Sequence, residues 1–352
     1  MSGLVLDKPT KMRPLDHLWV GAVDGHVIDL AWDPHGGRLA AASADGPITI
    51  LDALGNELVR LPGHGFGTMA IAWSADGSRF SSAGQDGRVI IWNLSSGQPA
   101  VVFEGGAPWV EHLAWNPLGG KRGVPNLLAS AAGRRLRLWD ENGQLQREYE
   151  LHPKTISSIA WKPGAQLIST ATYSQMAIFG LGQDSPQRRF EWKGSILKIA
   201  WSPNGKYIAT GDQDSTVHFW YEKTGRDLQM WGYPTKVREL SWNATSRYLA
   251  TGGGVDVTIW DCLKSPEGTK PITLAGHEEF ISALAFQRRG ELLASAGLDG
   301  RIIIWRPHLN RRAVGGMGIN SPVTQLVWSP DDRTFAVGAE SGALLLFRTP
   351  EA

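Results

Sequence analysis

The sequence predicts an all-β repeat fold, and three observations predict it. A short apolar phrase closed by a large aromatic comes round eight times, at Trp32, Trp73, Trp115, Trp161, Trp201, Trp242, Phe286 and Trp328. The steps between these residues are 41, 42, 46, 40, 41, 44 and 42, by subtraction of their numbers. A period of that length marks one supersecondary unit used repeatedly. A second series of eight apolar runs ends at Leu51, Trp92, Trp139, Phe179, Trp220, Trp260, Trp305 and Phe347, in step with the first. Between the runs lie turn pairs such as Asp76-Gly77, Asp86-Gly87 and Asn204-Gly205. These are favoured where φ must be positive.

Residues 64–92 set out the elements of one unit. Thr68 to Trp73 is a short apolar run and reads as a first strand. Ser74 to Gly77 is a turn, and Arg79 to Ala83 a second strand. Gln85-Asp86-Gly87 turns the chain again into Arg88 to Trp92, whose Val-Ile-Ile content suits a strand buried on both faces. A more polar fourth strand is expected near Gln98 to Phe103. Four antiparallel strands joined by tight turns make one blade of a β-propeller. The third unit is longer, with an insertion at Leu118 to Pro125 expected to be a surface loop.

Length alone would suggest two or three domains in 352 residues. The repeat overrides this, because all units can close into one ring. Hydrophobic residues are 42% and charged residues 20%, a core-forming composition. The net charge of +1 gives no electrostatic case for nucleic acid or an anionic membrane as partner. Pairs such as Arg134-Arg135, Arg188-Arg189 and Arg311-Arg312 read as solvated local charge. The one cysteine, Cys262, excludes an internal disulfide and a CxxC metal site. No apolar run of about 18 residues and no leader-like start is present, so the cytoplasm is the expected compartment.

Two units, GHGFGTMAIAWSADG…SSAGQDGRVIIW and GHEEFISALAF…LLASAGLDGRIIIW, resemble the WD40 repeat family, and the resemblance extends over nearly the whole chain. It implies a propeller with a His–Ser–Asp–Trp hydrogen-bond chain in each blade. A buried imidazole, hydroxyl, carboxylate and indole N–H need one another as partners. Full tetrads are expected in two units: His64, Ser82, Asp86, Trp92, and His277, Ser295, Asp299, Trp305. Elsewhere they are degraded. The fifth unit has Thr210, Asp214 and Trp220 with Trp192 in the histidine slot, and the fourth has His152 and Ser169 with Tyr173 and Phe179. Gly25-His26 is a false match, because His26 falls three residues too late.

The eighth unit has no fourth strand after Phe347, while Arg13 to Val23 precedes the first unit. That segment is expected to complete the last blade and remove an exposed sheet edge. Seven blades are the commoner family choice, but eight units and a spare strand favour eight. The expected organisation is a tail at 1–12 and one propeller domain at 13–349.

Twelve of the sixteen tryptophans have structural slots. Trp19 and Trp231 fall in fourth strands and Trp192 in a histidine slot, which leaves Trp109 unexplained. It sits six residues before its core aromatic, where the family's chain enters the first strand on the top face. The same position gives His26, Lys236 and Phe280 in other units, and two residues further on come Met69, Glu111, Arg238, Ser157, Ser282 and Thr324. The latter are expected to line the channel mouth. Trp109, Glu111, Lys236, Arg238, Phe280, Met69 and His26 form the candidate partner-binding surface, since interfaces use exposed aromatic and arginine anchors. Against this, Trp109 and Phe280 can fold onto their own loops, and Lys236 and Arg238 can be simply solvated.

Enzyme signals are lacking: no GxSxG elbow, HExxH pair or P-loop is present. Ser82/Asp86 and Ser295/Asp299 recur in register with the repeat, so the tetrad explains them. His26 has no ligand-type equivalents, and no metal or cofactor is expected. The expected function is a non-enzymatic scaffold holding a protein or peptide on its top face, as a monomer or within a hetero-complex. The alternatives are a propeller enzyme or small-ligand binder using the central channel, and a structural subunit binding through blade sides.

Overall fold

Repeat two shows how the sequence makes a blade. Its strands are Thr68–Trp73, Phe80–Gly84, Arg88–Asn93 and Gln98–Glu104, paired antiparallel in chain order. The second strand and the apolar centre of the third are buried throughout, while the fourth is mostly exposed. This is the gradient expected of strands stacked from a covered edge to a solvated one. The first turn is held by side chains: Ser74 Oγ donates to Asp76 Oδ1 at 2.6 Å, and the Arg79 amide donates to Ser74 Oγ at 2.9 Å. Gly77 closes it at φ 71°.

The computed structural model describes residues 4–7, 12–121, 123–308 and 312–351. Arg122 of the expected insertion and Arg311 lie outside the described residues, as do 1–3 and 8–11 of the expected tail. The fold is an all-β WD40-type propeller whose described residues fall into two compact parts, Met1–Leu30 with Ser202–Ala352, and Ala31–Trp201. Its strands form seven sheets, which corrects the expectation of eight separate four-stranded blades. Five sheets have four strands, one has five, and one has six.

The six-stranded sheet arises where repeats four and five meet. In repeat four the second and third strands run as one element, Leu167–Gly180, and the fourth runs into the next repeat as Arg188–Trp201. The turn between second and third strands is one residue shorter than in repeat two, counted between Trp161 and Phe179 against Trp73 and Trp92. Ser174 takes φ 70° there, and Tyr173 pairs with Ser195 at the start of the next repeat's first stretch. With no loop to separate them, the two repeats share hydrogen bonds.

The eighth repeat, Val323–Trp328, Thr334–Ala339 and Ala343–Arg348, receives its fourth strand from His17–Ala22. The register joins Val20 to Leu345 and Ala22 to Ala343. Leu15 and Val23, flanking this strand, are 4% and 8% exposed. Leu6–Asp7 adds a further short strand to Ala313–Ile319, so part of the expected tail is paired.

The recurring core aromatic does more than fill volume. The indole N–H of Trp73 donates to Ala31 O at 3.1 Å, Trp115 to Ser81 Oγ at 3.0 Å, and Trp161 to Ala114 O at 2.9 Å. Trp201 donates to Ser169 Oγ at 3.0 Å, and Trp328 to Ala285 O at 2.8 Å. Each bond runs from one repeat to the repeat before it. Burying an indole demands a partner for its N–H, and here that partner fixes the register of neighbouring repeats.

Deletion of residues 1–23 removes the outer strand of repeat eight with two buried apolar side chains, a contribution of roughly 3–6 kcal/mol. The melting temperature is expected to fall by roughly 5 °C or more. An unchanged melting temperature would show that the strand does not stabilise the repeat.

Candidate functional site

The loops that lead into the first strands rest on turns fixed by tetrads. His64 is 3% exposed, and burial holds its imidazole below the ordinary histidine pKa, so it is neutral. Its Nδ1 faces Asp86 Oδ1 at 2.9 Å and its Nε2 faces Ser82 Oγ at 2.7 Å. The carboxylate accepts from Nδ1–H, which leaves Nε2 to accept from the serine hydroxyl. Ser82 Oγ in turn accepts the Trp92 indole N–H at 2.8 Å. In repeat seven His277 lies 3.2 Å from Asp299 and 2.8 Å from Ser295, and Trp305 donates to Ser295 at 2.8 Å.

The degraded repeats solve the same problem in other ways. In repeat four His152 Nε2 meets Thr170 Oγ1 at 2.9 Å, not Ser169, which instead accepts from Trp201. Counting back from Phe179 misplaces this slot because the missing turn residue lies in between. Repeat six uses a tyrosine where repeats two, four and seven use histidine. Tyr233 Oη bonds Thr251 Oγ1 at 2.8 Å and accepts the Trp260 indole N–H at 2.9 Å. Burial pushes its phenol up to about 12.

In the part Ala31–Trp201 two exposed aromatics flank one tetrad-held turn. Trp109 is 54% exposed, and its loop lies against Gly87, where an added Cβ would meet Ala107 O at 2.9 Å. The Val110 amide donates to Gly84 O at 3.1 Å. On the other side of that turn lies Phe66, 88% exposed, between Gly65 and Gly67. The Gln85 amide donates to Gly67 O at 3.0 Å. Phe66 adopts φ 66°, a left-handed conformation that costs a side chain roughly 1–2 kcal/mol. Sequence reasoning missed Phe66; the available signal was an aromatic between two glycines in a loop beside a tetrad histidine. Met69 and Glu111 are half-buried nearby in sequence, and burial raises the Glu111 carboxyl above its usual range.

The part Met1–Leu30 with Ser202–Ala352 carries the other expected residues. Phe280 is 50% exposed, and its carbonyl accepts from the amide of Leu298, itself 42% exposed. Lys236 and Arg238 are exposed on either side of buried Val237, whose amide donates to Asp212 O at 3.1 Å. His26 is half-buried. The hydroxyls of Ser157, Ser282 and Thr324 donate to Ile196 O, Val323 O and Val27 O, each in the next repeat's first stretch. One expectation needs correction. Trp231, placed by the sequence in a fourth strand, follows Asp227–Met230 and is 79% exposed.

Among the described residues no group of three His, Cys, Asp or Glu lies together as a metal site, and no helix is long and apolar enough to cross a membrane. The profile of the WD40 family, described as WD domain, G-beta repeat, matches residues 19–46, 55–93, 185–221 and 268–306. These four stretches are WD40 repeats. The chain is 29% identical over 206 residues to the probable cytosolic iron-sulfur protein assembly protein 1 of Mycosarcoma maydis, a match covering 57% of this chain and 36% of the relative. It is 32% identical over 119 residues to cell division cycle 20.1, cofactor of APC complex, of Arabidopsis thaliana, covering 33% of this chain and 25% of that one. The matches thus span between a quarter and about a third of these relatives' length. The solved structure of the computationally designed Ika8 protein superposes with a TM-score of 0.80 at 22% identity, over 95% of this chain and 100% of that one, a likeness of fold.

One WD40 repeat here carries an unusual acid. Asp212, in repeat five, is fully buried, and its Oδ1 has no hydrogen-bond partner. Thr216 Oγ1 lies between Asp212 and Asp214, at 3.5 and 2.7 Å. Desolvation, reinforced by the charge of Asp214, pushes the Asp212 carboxyl up to about 8. The matching residue in repeat two is Gly84, where an added Cβ would meet the His64 ring carbon at 2.5 Å. An aspartate at that position would therefore collide with His64 in repeat two. An unfolded aspartate loses its proton near pH 4, whereas folded Asp212 keeps its proton to about pH 8. The folded state binds the extra proton between these values, so the contribution of Asp212 to stability is fully present below about pH 4 and is lost as pH rises to about 8, by up to a few kcal/mol. Asp212→Asn is expected to flatten that slope and raise the melting temperature at pH 8. An identical pH dependence in wild type and variant would contradict the assignment.

Proposed function

We propose that this chain is a non-enzymatic, cytoplasmic WD40 scaffold that holds a protein or peptide partner on the face bearing Phe66 and Trp109. The observation that carries this reading is the placement of Phe66. A large apolar side chain is held almost fully in solvent on a left-handed backbone, which folding alone would not favour. Trp109 stands across the same turn, and the His64–Asp86 bond anchors that turn beneath both. Rigidly held aromatic anchors lose little entropy on binding, and truncating a true one costs about 2 kcal/mol or more. Phe280, Lys236 and Arg238 extend the same class of loop positions in the other part, and the two cations would suit an acidic segment. The relatives' names, an assembly protein and a complex cofactor, support a role in protein assemblies.

A second reading has its own observation. Trp231 borders a groove of about 600 Å3 that Trp260 and Pro266 also line. This favours binding through a blade side. Affinity purification with partner identification, using wild type, Phe66→Asn, Trp109→Ala and Trp231→Ala, separates the two. Asparagine tolerates the left-handed backbone, so Phe66→Asn removes the ring without straining the loop. Partner recovery is expected to fall at least tenfold for Phe66→Asn and Trp109→Ala and to persist for Trp231→Ala. The reverse pattern assigns binding to the blade side, and unchanged recovery in the first two removes the aromatic patch.

A further inference from the structure

Repeat four contains a tetrad histidine without its acid. His152 is 2% exposed, and its Nε2 meets Thr170 Oγ1, yet its Nδ1 has no hydrogen-bond partner. In repeats two and seven the same nitrogen faces an aspartate. Here the turn that would carry the aspartate is one residue short, and Tyr173 and Ser174 occupy it. The indole is missing as well: Phe179 takes the tryptophan position, with its ring centroid 5.3 Å from that of His152. A blade that loses both polar ends of the tetrad would be expected to lose the histidine too, because a buried nitrogen without a partner costs about 1–3 kcal/mol.

His152 instead lines a cavity of about 270 Å3, together with Glu150, Gln175, Phe179, Pro186 and Arg189. We propose that this cavity is a carboxylate-binding site, in which a guest acid takes the place of the missing tetrad aspartate. A guest carboxylate selects the tautomer of His64, in which the Thr170 hydroxyl donates to Nε2 and Nδ1 bears the hydrogen. Burial pushes the His152 imidazole down to about 4, so the ring is neutral and keeps that single N–H at physiological pH. Arg189 supplies a cation in the same cavity. Its present partner is Glu150, with which it shares a half-exposed ion pair. Arg134 donates from Nε to His152 O, so the positive groups around the ring outnumber the one acid. A guest carboxylate accepts from His152 Nδ1–H and competes with Glu150 for Arg189. Hydrogen bonds to an ionised acceptor are the stronger class, and a cavity of this size accommodates an acidic side chain or a small dicarboxylate.

The test uses full-length protein labelled with 15N at histidine, followed by NMR. The probe is aspartate capped as its N-acetyl amide, with capped alanine as control. His64 and His277 already have carboxylates and serve as reference signals in the same sample. The His152 ring nitrogens are expected to shift saturably with capped aspartate and not with capped alanine, while His64 and His277 stay in place. Arg189→Gln is expected to weaken the response at least threefold, and His152→Phe to leave the His64 and His277 signals folded and unmoved. Free glutarate and an aspartate-containing tetrapeptide form two further arms: the one saturating at lower concentration assigns the guest as a metabolite or as a partner's side chain. No saturable shift at His152, or an equal shift with capped alanine, overturns the proposal.

Discussion

The structure depends on the indole N–H that Trp73, Trp115, Trp161, Trp201 and Trp328 each send into the repeat before it. A propeller blade cannot bury its own faces, so each repeat is stable only against its neighbours. Apolar packing between sheets is non-directional and would tolerate sliding. The bonds from Trp73 to Ala31, Trp115 to Ser81 and Trp201 to Ser169 are directional and fix the register. Trp32 holds the same slot with its indole N–H buried and without a hydrogen-bond partner, so packing alone keeps tryptophan there. Where Phe286 takes the slot, a backbone bond substitutes, from the Phe286 amide to Ser241 Oγ at 2.9 Å.

A second layer of polar bonds builds on that register. The tetrads of His64 and His277 tie a loop to the turn beneath it, so the loop's exposed side chains stand on a fixed base. The degraded repeats differ from this pattern: Tyr233 replaces histidine in repeat six, and buried Asp212 stands in repeat five where repeat two has Gly84. His152 is different, because its replacement for the lost acid is missing from the chain. The candidate surfaces divide accordingly. Phe66 and Trp109 lie above an intact tetrad, and the carboxylate cavity lies in a broken one.

Much of the fold was legible in the sequence because a repeat supplies its own alignment. The strands of repeat two, the two full tetrads' spacing and the strand borrowed from the N-terminal segment all follow from register with the core aromatic. What escaped reading is local. A single missing residue in the turn at Tyr173 shifts the match from Ser169 to Thr170 and lets repeats four and five share one sheet, and neither consequence shows in a count of repeats. At the position two residues after Trp109, the bond from a hydroxyl to the next repeat's carbonyl, as in Ser157 and Ser282, does not show in residue identity. Phe66 escaped because it stands seven residues before its core aromatic, one outside the position that Trp109 and Phe280 share, although its place between two glycines was readable. Of the candidate site, Trp109 and Phe280 were legible as aromatics without a slot.

The most direct test of this account is a double-mutant cycle on the bond between Trp115 and Ser81, measured by denaturant unfolding. Trp115→Phe removes the indole N–H while keeping an aromatic, and Ser81→Ala removes its acceptor. If the bond fixes neighbouring repeats, the two changes are coupled by about 1 kcal/mol, and the double variant is less destabilised than the sum of the singles. Additive effects, with coupling near zero, would contradict the claim that the indole bonds set the register of the repeats.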